Sequence, residues 1–268
     1  MPSSGSCRSW SMPDAPPLDG RVALVTGATR GIGRAAALAL SAAGAQVVAV
    51  GRTQGALEDL DDEARAIGGG PVTLVPLDLT NGDGVDQLGL AIFQRTGRLD
   101  VLVHAAGILS GLRPVGHTSP AIWDRIISTN ITGTFRLIRS MEPLLRKSAA
   151  ARAIFLTDAQ AKRPTAFWGA YAASKAAVEA MVRSWADEVE TTSIRAVLLD
   201  PGPVRTKLRA EAFPGEEPDD LASPSEVAPL IVELALAADP GPPDTVVSFA
   251  SWRSAHCAGG PGKPLPGR

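Results

Sequence analysis

The two residues best suited to chemistry in this sequence are Tyr171 and Lys175, which lie four positions apart in an alanine-rich segment. On a helix, this spacing places the phenol and the ammonium on one face, about one turn apart. A cation at that distance favours the ionised form of a phenol. We therefore expect Tyr171 to give and take a proton, with its pKa lowered by Lys175.

A glycine-rich turn precedes this pair, with Gly27, Gly31 and Gly33 in a Gly-x3-Gly-x-Gly spacing. Backbone without a Cβ atom can turn sharply and approach a pyrophosphate, which the positive end of the following helix would attract. Three glycines alone are weak evidence. A dinucleotide that carries hydride beside a residue that carries a proton nevertheless predicts an oxidoreductase.

The end of the second predicted strand distinguishes the two nicotinamide cofactors. An acidic residue there binds the ribose 2′-hydroxyl of NAD, whereas an arginine suits the 2′-phosphate of NADP. The sequence has Arg52 at this point, and Arg30, inside the glycine-rich turn, could reach the same phosphate with a bidentate guanidinium. We therefore predict NADP as the cofactor, with NAD as the less favoured alternative.

Small and polar residues end the third and fourth predicted strands. Asp78 is placed to bind the adenine amino group, and Ala105, Ala106 and Gly107 would let a cofactor pass close to the backbone. His104 directly precedes them, and we expect it to pack or bond locally rather than to ionise in catalysis.

Short β-branched or apolar runs alternate along the chain with alanine-rich helical stretches. This alternation predicts an α/β fold in one domain, with a parallel sheet of about seven strands and helices on both faces. The predicted strands are 21–26, 46–50, 72–77, 99–104, 153–157, 194–199 and 245–249. The predicted helices are 32–43, 54–67, 82–96, 120–146, 169–190 and 224–238.

The domain is predicted to span residues 18–250, between a disordered leader at 1–17 and a flexible Gly/Pro-rich tail at 251–268. Met12 is an alternative start to Met1. The segment 205–224 is rich in proline and acid and follows the sixth strand. It is either a lid over the substrate or a solvated surface loop.

Composition excludes several classes of protein. The 268 residues carry a net charge of −2 with scattered basic residues, so no nucleic-acid surface is predicted. No apolar run approaches the roughly 20 residues of a membrane-spanning helix, and no secretory signal is evident. Cys7 and Cys257 lie in the predicted loose ends, which argues against a metal site or a structural disulfide. A cytoplasmic protein with a small-molecule substrate is expected.

Taken together, the motifs resemble those of the short-chain dehydrogenase/reductase family over residues 20–249. Residues 26–33 match its TGxxxGxG turn, 105–107 the end of its NNAG motif, 171–175 its YxxxK motif, and 201–206 its PG segment. Ala105 and His104 stand where that family has asparagines. The resemblance implies a Rossmann-like doubly wound domain, a nicotinamide cofactor, and reduction of a carbonyl or oxidation of an alcohol.

The resemblance also implies roles for residues. Tyr171 is the general acid/base, Lys175 lowers its pKa and holds the nicotinamide ribose, and Asn130 positions a water. Family members are usually homodimers or homotetramers formed through the helices at 120–146 and 169–190. The implied cofactor-binding residues are Gly27, Thr29, Arg30, Gly31, Ile32, Gly33, Arg52, Asp78, Leu79, Ala105, Ala106, Gly107, Tyr171, Lys175, Pro201, Gly202, Val204 and Thr206.

Asp158 departs from the family pattern, because it stands thirteen residues before Tyr171, where the family has a serine that bonds the substrate oxygen. An ionised carboxylate only accepts hydrogen bonds and opposes a tyrosinate. A protonated Asp158 could donate to a carbonyl and act as a catalytic residue. The alternative is a cofactor-binding protein with little turnover. Thr157 is adjacent, but strand neighbours face opposite sides.

Overall fold

The computed structural model describes residues 16–239 and 245–257, and within them the strands form one parallel sheet. Its order is β3-β2-β1-β4-β5-β6-β7. This is the doubly wound, Rossmann-like arrangement that the sequence predicted, with every predicted strand present and its ends shifted by at most two residues. The strands are β1 (Val22–Thr26), β2 (Gln46–Gly51), β3 (Thr73–Pro76), β4 (Val101–His104), β5 (Ala151–Leu156), β6 (Ile194–Asp200) and β7 (Val246–Ser248).

Helices follow the strands and cover both faces of the sheet. Local signals fix several of their ends: the Asn81 side chain accepts the Gly84 N–H at the start of α3, and Gly97 ends that helix with φ 72°. The helices are α1 (Gly31–Ala42), α2 (Gln54–Ala66), α3 (Gly82–Thr96), α4 (Pro120–Ile126), α5 (Gly133–Leu145), α6 (Gly169–Glu188), α7 (Lys207–Ala212), α8 (Pro224–Leu236) and α9 (Phe249–Cys257).

Three predictions about where helices lie need correction. The single helix predicted at 120–146 is interrupted by a π-helical turn, Ile127–Thr132, between α4 and α5. The segment predicted as irregular at 205–224 contains α7. The tail predicted from residue 251 is wrong for residues 251–257, which continue α9, because Trp252 packs on the core and donates a hydrogen bond to Glu233. Residues 1–15 and 258–268, the rest of the predicted leader and tail, lie outside the described residues.

The core has two layers, one on each face of the sheet. One layer packs α1, α2 and α8 against the sheet, and the other packs α3, α5 and α6 against it. Because β1 is buried on both faces, its sequence is an unbroken apolar run rather than an alternating one. None of the helices in the described ranges has the length and apolar character needed to cross a membrane.

Candidate active site

The sheet order changes direction between β1 and β4, and a cleft of about 340 Å³ opens at the carboxyl ends of the strands. Ligands of open α/β sheets bind at this edge, where the loops after the two central strands separate. Every residue named above as cofactor-binding lines this cleft. Of the residues named as catalytic, Tyr171, Lys175 and Asp158 line it too, whereas Asn130 does not.

The glycine-rich turn is held against the end of β4. Gly27 has φ 70°, and a Cβ atom there would lie 2.9 Å from the Ala106 backbone nitrogen and 3.0 Å from the Ala105 carbonyl carbon. A Cβ atom on Gly33 would collide with the Gly27 carbonyl oxygen. The turn therefore requires glycine at both positions, and it exposes backbone to the cleft at the start of α1.

The outer end of the cleft carries Arg52 and Asp78. Arg52 Nη1 lies 3.8 Å from Asp78 Oδ2, and both side chains are about half exposed. The other carboxylate oxygen of Asp78 accepts the N–H and the hydroxyl of Thr80, each at 2.9 Å. Asp78 thus orders its own turn, while the Arg52 guanidinium remains accessible beside the end of β2. Arg30 is exposed on the same rim.

The inner end of the cleft brings Tyr171, Asp158 and Lys175 together. Tyr171 Oη lies 3.5 Å from Asp158 Oδ2. Lys175 Nζ donates to the Leu156 carbonyl oxygen at 2.9 Å and lies 5.9 Å from the centre of the Tyr171 ring. Helix α6 supplies the tyrosine and the lysine from one face, and the end of β5 supplies their partners.

Electrostatics around Tyr171 differ from the sequence expectation. Burial raises the pKa of Tyr171 well above its usual value, and the charge of Asp158, its hydrogen bond and the charge of Asp200 raise it further. Burial lowers the pKa of Lys175, against the opposing charges of Asp158 and Glu179. The expectation that the pKa of Tyr171 is lowered is therefore wrong, because burial and the two carboxylates determine the direction of the shift.

Asn130 lies in the π-helical turn and is buried behind the cleft. Its Oδ1 accepts the Ile108 N–H at 2.9 Å, and its Nδ2 donates to the Ile108 carbonyl at 3.0 Å and to Ser174 Oγ at 2.9 Å. Ser174 in turn donates to the Tyr171 carbonyl at 2.7 Å. The Asn130 side chain therefore ties the loop after β4 to α6, and its neighbour Thr129 lines the cleft instead.

His104 is buried beneath the cleft, where its ring bonds to Thr26 at the end of β1 and to Thr134 in α5. Thr134 donates its hydroxyl to the Asn130 carbonyl at 2.5 Å, so it accepts from His104 Nε2 at 2.8 Å. Thr26 then donates to His104 Nδ1 at 2.8 Å. Burial, with a smaller contribution from the Lys175 charge, lowers the pKa of His104 to about 3. His104 is a neutral, locally bonded residue, as expected from the sequence.

Two acidic residues were missed in the sequence. Asp200 ends β6 and lines the cleft, and its position at a strand's carboxyl end directly before Pro201 could have revealed it. Glu179 is buried and accepts the Thr157 hydroxyl at 2.6 Å, so Thr157 is bound to Glu179 of α6 while Asp158 faces Tyr171 of the same helix. Its spacing could have revealed it, because Glu179 lies four residues after Lys175 and four before Arg183, its ion-pair partner in α6.

An apolar wall closes the cleft beside Tyr171. Trp168 and Tyr171 meet edge to face with ring centres 5.6 Å apart, and a small cluster of buried apolar residues surrounds them. Helix α7 is tied to the loop after β4 by Glu211, which accepts the Gly111 N–H at 2.6 Å. Within the described ranges, no three His, Cys, Asp or Glu side chains are grouped as metal ligands.

Comparison with known proteins shows which family has this sequence pattern and fold. The sequence profile described as short chain dehydrogenase matches residues 21–217. The uncharacterized oxidoreductase YciK of Escherichia coli K12 is 36% identical over 219 residues, which are 81% of this chain and 86% of that protein.

Solved structures agree with this match. A short chain dehydrogenase of Shigella flexneri in complex with NADP superposes with a TM-score of 0.84 at 33% identity, covering 88% of this chain and 100% of that one. One from Escherichia coli in complex with NADPH gives a TM-score of 0.83 at 34% identity, over 88% of this chain and 99% of that one.

Proposed function

The chain belongs to the short-chain dehydrogenase/reductase family of oxidoreductases, and from this premise we propose that it transfers hydride between NADP(H) and a carbonyl or alcohol substrate. The observation that carries the proposal is the grouping of Tyr171, Lys175 and Asp158 at the inner end of a cleft whose other wall is the glycine-rich turn. A proton-transfer group and a dinucleotide cradle thus face one space.

The residues present fit NADP. The turn at Gly27 and Gly33 has no room for side chains and presents backbone at the start of α1, as a pyrophosphate requires. Arg52 offers a guanidinium where a 2′-phosphate would lie, with no acidic residue at the end of β2 to select NAD. The related structures that hold NADP and NADPH support the same choice. When bound, the nicotinamide supplies the hydride.

Tyr171 is the proposed acid for the substrate oxygen. Its phenol is buried and protonated, with its hydroxyl aimed toward Asp158 at the substrate end of the cleft. Lys175, held by the Leu156 carbonyl, is placed to bind the nicotinamide ribose and to stabilise the tyrosinate left after proton transfer. Asn130 holds α6 and the loop after β4 in register rather than touching the substrate.

Asp158 sets how well this chemistry proceeds. We propose that Asp158 takes the place of the family's serine, and that the enzyme reduces carbonyls, though more slowly than a serine would allow. The rival hypothesis is a protein that binds NADPH and reduces nothing. The test is a panel of aldehydes and ketones with NADPH, with wild type and Asp158→Ser, followed at the nicotinamide absorbance. NADPH binding without turnover by wild type, and turnover by the variant, would favour the rival.

The proposal extends to assembly and location. We propose a homodimer or homotetramer, because Trp123 on α4 and Phe135 on α5 are 41% and 51% exposed on helices through which the family associates. We also propose that the protein works in the cytoplasm. Light scattering of the full chain tests the assembly. A monomer at all concentrations would reject it.

A further inference from the structure

The substrate end of the cleft contains two carboxylates on neighbouring strands. Asp158 follows β5, and its Oδ1 accepts the Gln160 N–H at 2.8 Å, which leaves Oδ2 facing the Tyr171 hydroxyl. Asp200 ends β6, and its Oδ1 accepts the Gly202 N–H at 2.9 Å. Strands β5 and β6 are neighbours in the sheet, both carboxylates line the cleft, and they lie close enough for the charge of Asp158 to raise the pKa of Asp200.

The nearest cations offset only part of the charge of this pair. Lys175 is the one buried ammonium on which Asp158 acts in the described part of the cleft, and it donates to a backbone carbonyl. Arg209 also lines the cleft, but both of its bonding nitrogens lie 2.6 Å from Glu216. Lys162 acts on Asp200 more weakly than its acidic neighbours do. Lys207 lines the cleft as well, but it is exposed, so one buried ammonium stands against two carboxylates and the acceptor side of the site is net negative.

This charge suits one kind of hydride acceptor. A neutral carbonyl gains negative charge on oxygen as it is reduced, and two carboxylates oppose that change. A protonated imine carries its charge before reduction, and its N–H donates to a carboxylate in a charge-assisted bond. We propose that this cleft reduces protonated imines in preference to neutral carbonyls, with Asp158 as the residue that binds the iminium N–H.

The reaction balances without a proton from the protein. The substrate carbon gains the hydride that reduced nicotinamide supplies, the C=N π pair becomes the lone pair of nitrogen, and nitrogen keeps its proton. The products are an amine and the oxidised cofactor. Tyr171, whose pKa is raised by burial and by both carboxylates, need not ionise in this reaction. The inference rests on the proposed NADP-dependent hydride transfer and names its acceptor.

The apolar wall defines the rest of the substrate. Trp168 is 6% exposed and lines the cleft above Tyr171, with Leu208 and Ala212 beside it. An indole binds apolar rings and attracts cations to its face. The substrate class is therefore an imine with an apolar or aromatic body.

Binding tests the charge preference without turnover. With NADP⁺ bound, wild type should bind tetrahydroisoquinoline, a cation, at least about tenfold tighter than its neutral oxygen isostere isochroman, measured by calorimetry. Asp158→Asn should remove that difference, while Asp62→Asn, on the exposed face of α2, should keep it. Equal dissociation constants for the two compounds in wild type would overturn the proposal.

Turnover tests the acceptor itself. With NADPH, wild type should reduce dihydroisoquinoline with a larger kcat/KM than tetralone, and Asp158→Ser should shift the ratio toward tetralone by about 10²-fold, the effect of one well-placed donor. A wild-type preference for tetralone would overturn the inference while leaving the proposed function intact. Failure to bind NADPH would instead reject the proposed function.

Discussion

The two ends of the cleft are built by different means. The cofactor end is built on backbone and glycine, with Gly27 packed on the loop after β4, and its charged side chains, Arg30, Arg52 and Asp78, lie on the exposed rim. The inner end consists of side chains from α6 and from the ends of β5 and β6, where hydroxyls bond to carboxylates and Lys175 bonds to a backbone carbonyl. Beneath the cleft, His104 bonds to Thr26, which precedes the glycine-rich turn, and through Thr134 to Asn130, which lies behind the inner end.

This difference separates affinity from chemistry. A backbone cradle tolerates almost no change in shape, because a Cβ atom would occupy the space in which backbone N–H groups meet the anion. A cluster of buried charges tolerates isosteric changes, but its reactivity depends on each neighbour. Variants at the two ends should therefore fail in different measurements, binding at one and turnover at the other.

The largest expected effect is at Tyr171. Tyr171→Phe should lower kcat for a ketone by about 10³-fold, because it removes the transferable proton, and should leave the NADPH dissociation constant unchanged. A protonated imine needs no such proton, so its reduction should fall much less. Stopped-flow turnover and fluorescence titration measure the two quantities. Retention of most ketone activity would exclude Tyr171 as the acid.

The next effect is at the opposite end. Gly27→Ala should weaken NADPH binding by about 10²-fold, since the new Cβ atom meets the Ala106 backbone at 2.9 Å and φ is 70°. Gly20→Ala is the matched control, because Gly20 has the same φ but no atom within 4 Å of its Cβ position. If both variants bind NADPH equally well, the packing of the turn does not create the site.

His104 tests the connection between the two ends. Its folded pKa of about 3 lies below the unfolded value of about 6.5, so the unfolded chain binds more protons between these pH values. The contribution of His104 to the free energy of unfolding is complete above pH 6.5. It is lost as pH falls toward 3, by up to about 1.4 kcal/mol per pH unit.

Chemical denaturation at several pH values checks this slope. His104→Asn should reduce the dependence of unfolding free energy on pH, whereas His117→Asn, at an exposed histidine, should not. An unchanged slope in His104→Asn would mean that this histidine is not buried in its neutral form.

The smallest expected effect is at Arg52. Arg52→Ala should reduce the preference for NADPH over NADH by about tenfold, because the 2′-phosphate loses a charge-assisted bond. The kcat should change little, since Arg52 lies at the cleft end remote from Tyr171. Arg95→Ala, at an exposed arginine of α3, serves as the control. Equal dissociation constants for NADPH and NADH in wild type would reject NADP selection.

The fold could be predicted closely from the sequence, and the candidate active site could be predicted in part. Strand and helix positions follow from local periodicity, so the sheet and most helix ends agree with expectation. The interruption at 127–132 was missed because a π-helical turn keeps the composition of a helix. The extension of α9 was missed because Trp252 is ordered by contact with α8, which local sequence does not reveal.

By itself, the sequence determined the pieces of this protein: the glycine-rich turn, the Tyr171–Lys175 pair, the alternation of strands and helices, and the arginine at the end of β2. Each depends on spacing within one segment. Only the tertiary structure decided that Asp158 and Asp200 share the substrate end, that Asn130 lies behind the cleft, and that the pKa of Tyr171 is raised. Those properties depend on strand order and burial, which join residues distant in the chain and remove their solvent.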